Sequence, residues 1–159
     1  MFPELRRLIQ RKIKRVVVPR KPTLAYLQYK EPAREYLLGR IWYWAQVCQV
    51  DIKRVAIRDQ RRRWGSCSSL GNLNFNYKLV LLPPCLSDYV IVHELCHLKE
   101  LNHGPKFWAL VAIYYPEYRA LQGELRVLEQ ATRMQPAAII TYVKIHQCNL
   151  CPNIENVSL

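Results

Sequence analysis

Residues 92–108 read Val92-His93-Glu94-Leu95-Cys96-His97-Leu98-Lys99-Glu100-Leu101-Asn102-His103-Gly104-Pro105-Lys106-Phe107-Trp108. Three of the chain's four histidines fall inside this window. On a helix, positions four apart lie one turn apart on one face, so His93 and His97 present two imidazoles to one point. Zinc takes neutral imidazole nitrogens and, in catalytic sites, three protein ligands together with a water. Glu94 follows the first imidazole directly, beside the metal without binding it, where a general base takes a proton from a zinc-activated water. His103 comes six residues after His97 and just before Gly104-Pro105, a chain reversal followed by a first helical position. The reversal lets a third imidazole fold back. His93, His97 and His103 are therefore the expected zinc ligands, and Glu94 the expected catalytic residue.

The flanking residues support a metal. Tyr89-Val90-Ile91-Val92 is apolar without a break, and Leu95, Cys96 and Leu98 continue the pattern. A helix apolar nearly all round is a buried one. Two imidazoles and a carboxylate in such a helix are costly unless paired, and a divalent cation pairs them. The competing reading is a buried helix whose histidines bond backbone carbonyls, with Glu94 at its wet edge. The presence of His103 decides for metal.

Upstream lies the clearest period-two pattern of the chain. Leu73, Phe75, Tyr77, Leu79 and Leu81 alternate with Asn74, Asn76 and Lys78, which predicts a strand over 72–81 with an apolar inner face. The asparagines are either solvent-face residues or contacts to an extended ligand. A shorter strand is expected over 52–58, and residues 60–72, with Arg61-Arg62-Arg63 and two glycines, read as a connecting turn. Pro83-Pro84 ends the long strand, and the histidine helix starts after it, capped near Ser87 or Asp88.

An earlier helix is expected from Glu31, with Pro32 in its first turn and Ala33, Leu37, Ile41, Trp44, Ala45 and Cys48 on its core face. Beyond the histidines, one helix continues to Tyr115. Pro116 opens another, carrying Tyr118, Leu121, Leu125 and Leu128, to about Glu129. The run Ala138-Ile139-Ile140-Thr141-Tyr142-Val143 reads as a strand.

At 159 residues the chain is long enough to bury roughly two thirds of its unfolded surface as one domain. Its expected organisation is a basic N-terminal arm over 1–25, a metal-binding domain over 26–130, and a C-terminal extension over 131–159. No apolar run approaches the roughly 18 residues that span a bilayer, and the N-terminus lacks the apolar core of a signal peptide, so a cytoplasmic location is expected. Of the net charge of +12, residues 1–21 contribute +7, from eight basic side chains against Glu4. Leu5, Leu8, Ile9, Ile13 and Val16 recur there at helical spacing, so the arm reads as a basic amphipathic helix. It would lie on nucleic acid, on anionic lipid or on an acidic partner, or dock on its own domain. The six cysteines resemble reduced intracellular usage rather than a disulfide framework. Cys148-x-x-Cys151 lacks the second pair of a zinc ribbon.

Several motifs in order, over Glu31 to about Glu129, resemble the YgjP-type zinc metallopeptidase family, zincin-like and distantly related to the WLM and SprT-like metalloproteases. They are Arg63-Trp64-Gly65-Ser66-Cys67-Ser68-Ser69, Gly71-Asn72-Leu73-Asn74, Leu81-Leu82-Pro83-Pro84, Asp88 through His97, and Asn102-His103-Gly104-Pro105-Lys106-Phe107-Trp108. The resemblance implies an α+β, zincin-like fold with a small antiparallel sheet packed against the active-site helix and flanking helices. It also implies zinc on His93, His97 and His103, and a catalytic Glu94. The chain departs from metzincins in placing Glu100 where their glycine sits, and Glu117 stands as a second candidate for the third ligand, as other zincins use a downstream glutamate.

The expected activity is zinc-dependent hydrolysis of peptide bonds in a protein or peptide substrate. Arg63, Tyr77 and Tyr114 are the candidate oxyanion donors, and Asn74 and Asn76 join them as candidate substrate contacts. An extended substrate would add beside the 73–81 strand. Two alternatives are a nucleic-acid-associated protease of SprT-like type and a non-catalytic zinc-stabilised binding module, which would not need Glu94.

Overall fold

The structure, a computed structural model, describes residues 21–145. Most of the basic arm and the Cys148-x-x-Cys151 pair lie outside the described residues. Five helices and three strands follow in chain order: α1 (Leu24–Cys48), β1 (Arg54–Arg58), β2 (Gly65–Cys67), β3 (Asn72–Asn76), a 3-10 turn (Tyr77–Leu81), α2 (Pro84–Cys96), α3 (Pro105–Tyr114), α4 (Tyr118–Thr132) and α5 (Pro136–Ile145). The class is α+β, as expected.

Helix α1 starts two turns before the expected Glu31, because Thr23 accepts the Tyr26 N–H at 3.1 Å and caps it. Pro32 therefore sits inside the helix. It is exposed, so the carbonyl its missing N–H leaves unpaired lies on the solvent side. The expected core face is present: Ala33, Leu37, Ile41, Ala45 and Cys48 are buried at near-fourfold spacing.

The sheet is small, with order β1-β3-β2. It is mixed rather than wholly antiparallel: β1 runs parallel to β3, and β2 antiparallel to it. The antiparallel pair is a hairpin that turns at Gly71, whose φ of 75° suits glycine. The parallel pair arises because residues 59–64 carry the chain across β3 before β2 begins.

The expected long strand over 72–81 ends early, at Asn76. That side chain is fully buried; it donates to the carbonyls of Gln60 (2.8 Å) and Arg63 (2.9 Å), and its Oδ1 accepts the Lys78 N–H. A turn-forming asparagine with three bonds outcompetes the ladder, and the backbone tightens into the 3-10 turn. Lys78, expected on a solvent face, is buried and donates to Asp59 at 3.0 Å. The expected C-terminal strand is helix α5, whose Pro136 stands in the first turn and whose Ile139 is fully buried. Arg133 and Met134, both with positive φ, turn the chain between α4 and α5.

Helix α2 runs through the middle of the core. Eleven of its thirteen residues are buried, as its unbroken apolar pattern requires. It starts at Pro84, so Ser87 and Asp88 lie inside it rather than at its cap. The interior apolar set joins α1 (Leu37, Ile41), β3 (Leu73, Phe75), α2 (Leu86, Ile91, Leu95) and α4 (Leu125, Leu128). Each such side chain contributes roughly 1.5–3 kcal/mol. Among the described cysteines, Cys48, Cys67 and Cys96 are free thiols. No helix among the described residues is long and apolar enough to cross a membrane.

Candidate metal centre

His93 lies in the last turn of α2, and His97 is the residue that caps its C-terminal end. The chain then leaves the helix and returns at Gly104, the N-cap of α3, with Pro105 in its first turn. The reversal brings His103 back onto the other two. His103 Nε2 lies 3.1 Å from His97 Nε2 and 3.1 Å from His93 Nε2. In a tetrahedral zinc site with Zn–N about 2.0–2.1 Å, ligand nitrogens stand about 3.3 Å apart. Two of the three nitrogen pairs come close to that spacing, and all three ligand atoms lie within 4.8 Å of one another.

Their chemistry agrees with their spacing. His97 Nδ1 lies 3.1 Å from the Glu100 carbonyl. A carbonyl only accepts, so Nδ1 carries the proton and Nε2 is left as a bare lone pair aimed at the cluster. Three converging Nε2 atoms cannot all satisfy one another, because each contact needs one donor. A cation between them satisfies all three. Burial, reinforced by the neighbouring imidazoles, pushes His93 down to about 3, and burial also holds His97 below its ordinary value. These two rings therefore stay neutral at pH 7, the form that binds metal.

Aromatic packing holds the rings. Phe107, fully buried on α3, touches all three: it stacks on His97 at 4.4 Å and meets His93 and His103 edge-on at 4.9 and 4.8 Å. Trp108 stacks on His103 at 5.6 Å and donates its indole N–H to the His103 carbonyl. Tyr118 stacks on Trp108 in turn. Phe107 and Trp108 of α3 thus fix the orientation of the three imidazoles.

Glu94 is 7% exposed, and its side chain packs against Gly65 of β2. A Cβ on Gly65 would stand 2.6 Å from Glu94 Cγ and 2.8 Å from Oε1. Only glycine leaves room for the carboxylate there. Burial pushes Glu94 up to about 8, with the Arg63 charge opposing. A divalent ion nearby would favour its ionised form. Gly65, Ser66, Cys67, His93, Glu94, His97, Leu101 and His103 line a shallow cleft of about 300 Å³. The larger cavity, about 710 Å³ beside Asp59, Lys78, Glu129 and Arg133, contains none of the histidines.

The other expected site residues are dispersed. Arg63 is exposed, just before β2, and its field reaches Glu94. Asn74 donates to Ser66 Oγ at 3.4 Å, across the hairpin. Asn76 is committed to the backbone contacts above. Tyr77 is buried in the core against Tyr26, and Tyr114 interacts with the Cys48 thiol, so neither lines the cleft. Glu117 is exposed ahead of α4 and stands outside the histidine group. The long-strand docking edge is also corrected: β3 is central, with both edges paired, and among the described residues the unpaired edge at the cleft belongs to β2. Gly65, Ser66 and Cys67 are the cleft residues that sequence reasoning passed over as a turn. Their signal was a glycine followed by small residues between two expected strands.

Comparison with known proteins agrees with this geometry. No curated protein matches the chain. Among solved structures, the metallopeptidase zymogen of Pyrococcus abyssi abylysin is similar in fold, with a TM-score of 0.50 and 23% identity over 58% of this chain and 91% of that one. The model of the YgjP-like metallopeptidase domain matches residues 19–128, a span that includes the sheet, the Gly65–Glu94 contact and all three converging histidines. On that match the chain belongs to the YgjP-like metallopeptidase family, whose name implies a metal ion that His93, His97 and His103 are arranged to hold.

Proposed function

We propose that the chain hydrolyses peptide bonds with zinc as its metal, held by His93, His97 and His103, and with Glu94 as general base. The observation that carries this reading is the convergence of three Nε2 atoms beside a buried carboxylate that no cation contacts among the described residues. Zinc, when bound, supplies a Lewis acid that polarises a carbonyl and acidifies a water. Glu94 takes the proton of the attacking water and passes it to the leaving amine nitrogen, base and then acid. Gly65 holds that carboxylate at the cleft floor by leaving room for it. Arg63, two residues before Gly65 of the cleft, is the candidate oxyanion donor, since Tyr77 and Tyr114 are turned to the core and to the Cys48 thiol. The substrate chain lies extended along the open edge of β2, its backbone pairing with Gly65–Cys67.

Metal analysis of the purified full-length protein should find one zinc per chain, and casein digestion should stop on chelation and return with zinc. His93→Ala and His97→Ala should abolish zinc binding, with His103→Ala weakening it strongly. Stoichiometric zinc retained by His103→Ala but lost by Glu117→Ala would overturn the ligand assignment. Digestion indifferent to chelation would overturn the activity.

A further inference from the structure

Among the described residues the sheet has a second unpaired edge, two strands away from the cleft, and it faces a groove. One wall of the groove is the whole of β1, Arg54–Arg58. The other is a single row of α1 at spacing four: Tyr26, Lys30, Arg34 and Leu38. The walls match in length: five strand residues span about 17 Å, and Tyr26 to Leu38 about 18 Å of helix. The volume is about 320 Å³.

The charge in this groove is of one sign. Lys30, Arg34, Arg54 and Arg58 line it, and no acid does. Lys30 has only an exposed contact to Glu31 at 3.6 Å, while Arg34, Arg54 and Arg58 form no ion pair with any described residue. Elsewhere buried or half-buried cations are answered, Lys78 by Asp59 and Arg40 by Asp88. Arg54 and Arg58 project to one face of β1, and Val55 and Ile57 to the other. Tyr26 closes one end, donating its hydroxyl to the Ile57 carbonyl at 3.4 Å.

We propose that this groove binds an acidic, extended segment of a partner protein, which adds as a strand beside β1 with its carboxylates on Arg34, Arg54 and Arg58. A strand edge offers alternating N–H and C=O groups, and a peptide satisfies both. A phosphodiester backbone only accepts, and would leave the carbonyls facing its charge. The carboxylates of a segment with acids at every second residue fall on the Arg54–Arg58 face of the extended sheet, and its apolar residues fall on the face of Val55 and Ile57. This site is separate from the metal chemistry and does not depend on it.

The test uses fluorescence anisotropy on the full-length protein at low salt. The probes are a labelled five-residue peptide alternating glutamate and valine, its lysine–valine counterpart, the acidic peptide N-methylated at alternate amides, and a single-stranded oligonucleotide. The acidic peptide should bind. Charge reversal or N-methylation of the peptide should weaken binding at least tenfold, as should the double variant Arg34→Glu/Arg54→Glu with its fold confirmed by circular dichroism and metal content. Binding that survives the double variant would place the peptide elsewhere and overturn the site. Equal binding of the N-methylated peptide would exclude strand addition. An oligonucleotide that binds as tightly and competes would assign the groove to nucleic acid. Absence of any binding would reduce the cations to guards against edge-to-edge aggregation.

Discussion

Asp88 and Glu94 stand on the same helix, six residues apart, and are buried to 2% and 7% exposure. The fold treats them oppositely. Asp88 receives two hydrogen bonds from the Arg40 guanidinium on α1, which in turn holds Arg40 above its ordinary value. Tyr36 beside it reaches Ser87 across the same helix pair. Glu94 has no such partner among the described residues. It leans on the bare backbone of Gly65, and the Arg63 charge only moderates the effect of burial. One carboxylate is thus spent on joining two helices, and the other is kept unpaired at the floor of a cleft. An unpaired buried carboxylate costs stability. It persists here beside three imidazoles whose lone pairs also lack a partner, and one cation answers both.

The comparison can be broken at each end. Short of replacing Glu94 itself, the largest effect is expected from Gly65→Ala, whose methyl group must displace the Glu94 side chain. Displacement by about 1 Å costs on the order of 10² in turnover, with zinc content unchanged. Full activity in this variant, measured on casein at equal zinc content, would mean that the position of Glu94 is not what the chemistry uses.

At the other end, Asp88→Asn should leave zinc content and activity at 25 °C nearly unchanged but lower stability. Breaking a fully buried pair costs about 3–5 kcal/mol. The Arg40 side chain is 34% exposed, so water screens the loss and about 2 kcal/mol is expected. Urea unfolding measures it. An Asp88→Asn protein as stable as the parent would remove the structural half of the comparison.

The smallest effect is in pH. For the metal-free protein, burial holds His93 near 3 and Glu94 near 8, against about 6.5 and about 4.3 in the unfolded chain. As pH falls below about 6.5, the unfolded chain takes up a proton that folded His93 refuses, so stability is lost towards acid. As pH rises above about 4.3, the unfolded chain releases a proton that folded Glu94 keeps, so stability is lost towards pH 8. Between these limits the two slopes oppose each other; from about 6.5 to 8 only the Glu94 loss acts. The metal-free protein should therefore unfold more easily at pH 8 than at pH 6.5, by about 1–2 kcal/mol. Zinc should erase the difference, because the ion favours ionised Glu94. An equal melting temperature at both pH values without metal would show that Glu94 is not held protonated.

The sequence made one end of this comparison legible and not the other. His93, Glu94, His97 and His103 are separated by spacings that local geometry alone turns into a cluster, and Gly104-Pro105 marks the reversal. The Ala33–Cys48 and Leu121–Leu128 stripes were legible for the same reason, since a helical period needs no knowledge of the partner. Asp88 was read as a cap because its partner, Arg40, lies 48 residues away. Lys78 and Asn76 were read as the outer face of a strand, Asn76 meeting solvent or an extended ligand, because Asp59, Gln60 and Arg63 reach them only once β1 and β3 are paired. Gly65 was read as a turn glycine; its contact with Glu94 exists only when the hairpin register sets β2 against α2. Residues 138–143 failed for another cause. A short apolar run fits strand and helix equally, and the deciding residue was Pro136 just ahead of it.

The most direct measurement compares the parent protein with Glu94→Gln at equal, verified zinc content. Glutamine keeps the shape and the hydrogen-bonding capacity of the side chain but cannot accept a proton at neutral pH. It also leaves His93, His97 and His103 in place. If Glu94 is the general base, peptide hydrolysis should fall by about 10²–10⁴ while zinc affinity holds and stability is unchanged or slightly raised. Equal hydrolysis by the two zinc-loaded proteins would contradict the mechanism.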